Sequence, residues 1–302
     1  MIVGLGCLAH DRVLVTETTW AAGKGRIVRR ETRFGGNVRN ALATVAALDH
    51  PAAYLATVGT SALGDEAMVD LHTHGINTHF VERVEGADPV TSTLIITSDG
   101  ERYIAFDDAQ LASTPLPSGR TIDDALSEGE VLLIDAPTAP PGSIDVVLQA
   151  RAVGIPVVLD AERDPTSTVR ALIEAADHLV IPLSFGAELT DRESASDIAA
   201  ALWNAQRSAV VLTDGPRGAY AAESPESVRH VPAFDTPVVD TTGCGDAFHG
   251  AYAWALTRGD DRMGRVEIAS AAAAVVAALP PEAKRVPSRD IIEQLLAAKG
   301  SL

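Results

Sequence analysis

From residue 131 to residue 215, short apolar runs alternate with longer segments of helical period, and that alternation leaves few folds open. VLLIDAP, IPVVLDAE, HLVIPL and SAVVLTDG read as strands, while SIDVVLQARAVG, VRALIEAAD and SDIAAALWNAQ between them carry the helix pattern. Strands that are apolar throughout are buried on both faces, and helices of this length between them supply the cover. The pattern therefore predicts an α/β fold with a mostly parallel sheet. Upstream, NVRNALATVAALD reads as a helix, AAYLATVG as a buried strand, and 67–74 as a second helix ending near Gly75.

The segments at 11–33 and 90–108 break the alternation. DRVLVTETTW and GRIVRRETRF alternate β-branched with polar residues, and TSTLIITSDGERYIAFDD reads as a hairpin turning at Asp99-Gly100. They are expected to form a small sheet projecting from a single domain over 1–302. STPLPSGR at 113–120 reads as a loop, and no internal repeat or low-complexity linker appears. The chain has 302 residues, 46% of them hydrophobic, enough for one large core. No apolar run approaches the ~18 residues that span a bilayer. A net charge of −17 argues against nucleic acid, and two cysteines, Cys7 and Cys244, are too few for a disulfide framework. MIVGLGCLAH lacks the basic start of a signal peptide, so a cytoplasmic location is expected.

The chemistry concentrates in Asp240-Thr241-Thr242-Gly243-Cys244-Gly245-Asp246, which runs straight into the alanine-rich segment AFHGAYAWAL. A glycine-flanked loop opening a helix offers unpaired N–H groups and the positive end of a helix dipole to an anion. Asp246 inside that site can take a proton from a hydroxyl while the amides hold a phosphoryl group. The plainer alternative is a helix cap. Gly4-Leu-Gly6-Cys-Leu-Ala9 imitates a dinucleotide fingerprint, but the residues after it favour a strand where that fingerprint requires a helix. There is no Gly-x4-Gly-Lys-Ser/Thr loop.

FGGNVRNALATVAALD at 34–49, Asp11 at the end of the first strand, Thr213-Asp-Gly215-Pro-Arg-Gly218 after a late strand, and DTTGCGDAFHGA together resemble the ribokinase-type (PfkB) carbohydrate kinases over essentially the whole chain. The resemblance implies a three-layer α/β/α fold with a small β lid, use of ATP and Mg²⁺, and a possible monovalent cation such as K⁺. It also implies a lid shared across a homodimer. By the same resemblance Asp246 is the general base, and Gly243, Cys244 and Gly245 form the anion hole. Asp11, Gly35, Gly36, Asn37 and Asn40 hold sugar hydroxyls, and Thr213, Gly215 and Gly218 pass along the nucleotide. Cys244 stands where the family usually has alanine, and a reactive thiol is not expected, since no His or Lys neighbours it. In IPLSFGAELT, Ser184 and Glu188 stand in only partly for an Asn-x-x-Glu motif, Ser184 toward the nucleotide and Glu188 toward the metal. Arg102 matches an arginine near the transferring phosphate.

Gly-Gly-Asn-x-x-Asn and the 100–104 segment look most like the ketohexokinase branch, which implies transfer to a primary hydroxyl of a ketohexose-like sugar. Arg26, Arg29, Arg30, Arg33 and Arg39 cluster around the lid. Strand alternation puts Arg26 and Arg30 on one face and Arg29 and Arg33 on the other. One face could meet an anionic substituent of a sugar acid, sulfosugar or phosphosugar, or the charges could simply keep a solvated edge from pairing. Ala43, where phosphosugar kinases commonly carry arginine, speaks against a phosphosugar. A nucleoside kinase would want more lid aromatics than Trp20, Phe34, Tyr103 and Phe106. A non-catalytic sugar sensor is least favoured, because Asp246 and its loop are retained.

Overall fold

The computed structural model describes residues 1–18, 25–98, 102–107, 109–280 and 283–299. The strands are β1 (Ile2–Leu5), β2 (Ala9–Thr16), β3 (Ile27–Gly35), β4 (Ala52–Val58), β5 (Ile76–Asn77), β6 (Val81–Arg83), β7 (Val90–Ile96), β8 (Arg102–Asp107), β9 (Val131–Asp135), β10 (Val157–Asp160), β11 (His178–Pro182), β12 (Ala209–Thr213), β13 (Ala219–Ser224) and β14 (Ser227–Val231). The helices are α1 (Asn37–Ala47), α2 (Ala62–Thr73), α3 (Gly119–Glu128), α4 (Ser143–Ala152), α5 (Ser167–Ala175), α6 (Leu183–Thr190), α7 (Ala195–Leu202), α8 (Cys244–Thr257), α9 (Arg262–Ala277) and α10 (Arg289–Lys299).

The central sheet runs β14-β13-β12-β11-β10-β9-β1-β4-β5, with β6 also paired to β4. It is parallel from β12 to β5 and antiparallel only at the β12-β13-β14 edge. Strand side chains alternate between two cores. Ile2, Tyr54, Leu133 and Val158 pack under α1, α2, α8, α9 and α10. Val3, Leu55, Leu132 and Leu159 pack under α3 to α7. That is the three-layer arrangement the alternation implies. The chain leaves β1 toward β4 on one side and later returns to β9 on the other. This order change at β1 marks where open α/β sheets bind ligands, beyond the carboxyl ends of the strands.

β2, β3, β7 and β8 form the separate lid, in the order β3-β2-β7-β8. The expected Asp99-Gly100 turn lies outside the described residues. Several expectations need correction. The first strand ends at Leu5, so Asp11 sits inside β2 and not at the end of β1. The helix expected at 67–74 starts at Ala62, because the Ser61 side chain accepts the Gly64 N–H and caps it early. α3, α6, α9, α10 and the antiparallel edge strands carry no expectation from sequence. The imitation fingerprint has a packing cause: a Cβ on Gly4 or Gly6 would come within 2.5 or 2.6 Å of Val38, so these glycines let α1 lie close on β1. No helix of the described residues is long and apolar enough to cross a membrane.

Candidate active site

Gly243, at φ 76, is the N-cap of α8 and offers no side chain to cap it. Positive φ turns the chain, a conformation glycine adopts without strain; the Cys244 N–H folds back onto the Thr241 carbonyl at 3.2 Å, while those of Gly243 and Gly245 have no partner among the described residues. The approach to this turn is tied down from behind. Val239 and Asp240 donate their N–H groups to the Ala277 carbonyl at the end of α9, and Asp240 Oδ1 accepts the Thr242 N–H at 2.9 Å. Arg285 completes the anchor: it donates to the carbonyls of Thr242 (2.8 Å), Asp240 (2.7 Å), Val276 (3.1 Å) and Leu279 (3.1 Å) and faces the Asp240 carboxylate at 3.5 Å. A guanidinium has five N–H donors, and here they satisfy carbonyls orphaned at a helix end together with those of the loop.

α8 crosses α1 at Gly250, where a Cβ would sit 2.3 Å from the Ala41 carbonyl oxygen. That close approach brings two helix starts together, and Asn40 Nδ2 donates to Asp246 Oδ2 at 2.8 Å. Burial pushes the Asp246 carboxyl up to about 7, with Asp160 adding in the same direction, while the Asn40 hydrogen bond pulls the other way. A carboxylate poised near neutrality suits a general base. Around it, Asn37 Nδ2 donates to Asp160 Oδ2 at 3.4 Å, and His249 Nε2 lies 3.4 Å from Asp160 Oδ1. Burial raises Asp160 well above the ordinary carboxylate range, and neighbouring Asp135 is raised by the same cause. Burial also pushes the Cys244 thiol up to about 11, which leaves it unreactive at neutral pH.

Two cavities meet at the loop. One, of about 400 Å³, is lined by Asp11, Arg33, Gly35, Asn40, Thr242 and Gly243 among others. The other, of about 340 Å³ and more apolar, is lined by Thr213, Gly215, Gly218, Thr241, Cys244, Gly245 and Phe248 among others. Residues 241–245 are thus a partition with a face on each side. In the first cavity Asp11 accepts the Ser92 hydroxyl at 2.5 Å. Gly35 leaves room for its carboxylate, since a Cβ there would approach Asp11 Oδ2 to 2.8 Å. Gly36 turns at φ 105 against the Cys7 carbonyl.

Most of the residues singled out from sequence are brought together. Asn37 reaches the site through Asp160 instead of lining a cavity. Ser184 and Glu188 lie exposed on α6 and line neither cavity. Arg102 opens β8, and its side chain is outside the described residues. Of the lid arginines whose side chains are described, Arg33, directly opposite Asp11 in the β2-β3 register, is the one that lines the cavity. Arg26, Arg29 and Arg30 are exposed and do not line this cavity. Arg39 belongs to buried α1 and not to the lid. Sequence reasoning missed Asp135, Asp160, His249 and Arg285, and took Arg39 for a lid cation. The only available signal was a single acid closing each of two apolar strands, VLLID and VVLD.

The structure is thus a three-layer α/β/α fold with a β lid, in which the loop 241–245 divides two cavities and Asp246, lining neither, stands in the first turn of the helix behind it. Residues 2–280 match the pfkB family carbohydrate kinases, and the chain belongs to that family. It is 25% identical to ribokinase from Schizosaccharomyces pombe over 302 residues, covering 95% of each protein. It is 26% identical to ribokinase from Mus musculus over 232 residues, covering 74% of this chain and 71% of the relative. The structure of Arabidopsis thaliana ribokinase complexed with ribose and ATP shares the fold, with a TM-score of 0.84 at 22% identity over 98% of both chains.

Proposed function

We propose that the protein transfers the γ-phosphate of ATP to a primary hydroxyl of a ketohexose-like sugar, with Asp246 as the general base. The observation that carries this reading is the shared wall. Thr242 and Gly243 face the polar cavity of Asp11 and Asn40, and Thr241, Cys244 and Gly245 face the apolar cavity of Thr213, Gly215 and Gly218. A sugar in the first and a nucleotide in the second would meet across the loop amides. The acceptor oxygen attacks the γ-phosphorus, its proton passes to Asp246, the amides of Gly243 and Gly245 hold the developing charge, joined by that of Cys244 on release from the Thr241 carbonyl, and ADP leaves.

Among the described residues no three His, Cys, Asp or Glu side chains form a metal cage. That composition fits an ion such as Mg²⁺, which keeps several waters and rides on nucleotide phosphates. We assign Glu188 to its outer shell and Ser184 to the nucleotide side, with Arg102 near the transferring phosphate. A monovalent cation such as K⁺ remains an assay variable. A homodimer pairing through the lid is supported by its exposed Val28, Tyr103 and Ile104, and sedimentation of the wild type tests it.

A second reading has its own support. Arg33 and Lys284 both line the sugar-side cavity, and neither makes a hydrogen bond or ion pair through its side chain among the described residues. These two cations favour an anionic derivative such as a sugar acid or sulfosugar. ADP release across fructose, ribose, sugar acids, sulfosugars and nucleosides separates the readings. Ribose is included because the two relatives above are named ribokinase. Asp246→Asn should lower turnover on the order of a hundred- to ten-thousand-fold with nucleotide affinity retained; unchanged turnover removes Asp246 as the base.

A further inference from the structure

Asn40 stands between two groups of opposite demand. Its Nδ2 donates to Asp246 Oδ2 at 2.8 Å, and its Oδ1 accepts from Arg39 Nη1 at 3.1 Å. Turned over, the amide would set its oxygen against a carboxylate and its NH₂ against a guanidinium, losing both bonds. The two neighbours therefore admit one orientation between them.

Arg39 is in turn held rigidly. It is only 7% exposed, and its Nε and Nη2 grip the Asp70 carboxylate at 2.9 and 2.6 Å. Nη2 also lies 2.7 Å from His74 Nδ1, one helical turn beyond Asp70 on α2. Burial works against the Asp70 charge, yet hydrogen bonds from His74 and Arg39 keep its carboxyl below the ordinary range. A line of contacts thus runs from α2 through α1 to the first turn of α8. Arg39, Asp70 and His74 all line the sugar-side cavity. Asp246 Oδ1, by contrast, takes no hydrogen bond among the described residues.

We propose that Arg39 is a positioning residue for phosphoryl transfer: anchored by Asp70, it holds the Asn40 amide N–H on Asp246 Oδ2 and so leaves Oδ1 as the oxygen open to the acceptor hydroxyl. This rests on Asp246 being the base. A buried arginine is costly unless paired, and Asp70 alone would pair it. The bond to Asn40 is what ties that pair to the reaction.

The titratable groups facing Asp246 are Asp160 and Glu162, from the end of β10 and the loop after it, and His249 on α8 itself; Asn40 is the facing group from α1. Burial raises the affinity of Asp246 for a proton and Asn40 lowers it. Freeing the amide therefore raises that affinity further. In Arg39→Met the titration midpoint of Asp246 should rise by about one pH unit, the size expected for losing one hydrogen bond to a carboxylate. Carbon-13 NMR of labelled aspartate reads this midpoint without substrate, with Asp246→Asn assigning the signal. The acid limb of kcat should move up with it, because the base must be deprotonated, and turnover should recover at alkaline pH.

Arg39→Lys should restore part of the shift. Arg39→Met with Asn40→Ala should shift no further than Asn40→Ala alone. An unshifted midpoint in folded Arg39→Met, with kcat lowered equally at every pH, overturns the proposal and leaves Arg39 a purely structural ion pair. Should Arg39→Met fail to fold, Arg39→Lys decides, and a wild-type midpoint there overturns it as well. If the wild type phosphorylates no sugar, the kinase reading fails, while the NMR titration still reports whether Arg39 governs Asp246.

Discussion

Of the five helices that share one layer of this protein, four begin in two contrasting ways. α2 and α9 open on Ser61 and Asp261, whose side chains accept the N–H of Gly64 (3.2 Å) and Gly264 (2.7 Å). α1 and α8 open on Gly36 and Gly243, at φ 105 and 76, with no side-chain cap. A capped start has spent its first donors on its own chain. A glycine start leaves more of them available: at α8 only the Cys244 N–H is spent locally, on the Thr241 carbonyl at 3.2 Å, and the two such starts in this layer are the ones that carry Asn40 and Asp246. The difference teaches that stability and anion binding compete for the same N–H groups, and that the scaffold assigns them to different helices.

The sharpest way to break that comparison is at Gly243. A Cβ there meets nothing nearer than Asp246 Oδ2 at 4.0 Å, so Gly243→Ala tests backbone conformation and not space. Holding alanine at positive φ costs about 1–2 kcal/mol. The turn relieves that cost by rotating the amides away from the phosphoryl path. Turnover should fall on the order of a hundredfold, with a smaller loss of nucleotide affinity by calorimetry. If kcat stays at the wild-type value, the amides of this turn are not the anion hole.

Gly250→Ala tests whether the two glycine starts must also touch. The new Cβ would press on the Ala41 carbonyl and part α1 from α8, at about 1–3 kcal/mol of stability. Asn40 would then draw back from Asp246. We expect a lower melting temperature and a loss of kcat, smaller than at Gly243, that persists at temperatures where the variant is fully folded. Normal turnover in the folded variant would mean that the Asn40–Asp246 contact is dispensable.

How much of this was legible beforehand follows from what each residue depends on. The parallel sheet was legible because strands buried on both faces leave an unbroken apolar run. Asp246 and the glycine turn were legible because their chemistry is local, packed into seven consecutive residues. Asp160 and Asp135 were not, since an acid closing a strand also looks like the start of a turn. Only the β9-β10 register sets them side by side. Strand alternation separated Arg29 and Arg33 from Arg26 and Arg30, but could not say which face met the cleft; that depends on Asp11 pairing with Arg33. Arg39 looked like one more lid cation because a charged residue in a helix is usually solvated, and its burial depends on Asp70 arriving from α2. Arg285 matched no motif at all, because its hydrogen-bond acceptors are backbone carbonyls and its one carboxylate neighbour, Asp240, lies 45 residues away in sequence.

The smallest effect should come from the capped side of the comparison. Ser61→Ala removes a side chain that accepts from Gly64 and donates to Asp88 at 2.6 Å. Losing an N-cap serine costs about 1 kcal/mol, read as a modest drop in melting temperature. The α2 donors then turn to water, and nothing at the partition between the cavities changes, so kcat and both substrate affinities should stay at wild-type values. The outcome matters because α2 also carries Asp70, the anchor of Arg39, from its ninth position onward toward His74. A cap lost at the first turn should fray that turn and leave the anchor in place. If Ser61→Ala instead lowers kcat while the protein remains folded, then α2 is not mere scaffold, and the division between capped and glycine-opened helices does not separate stability from function.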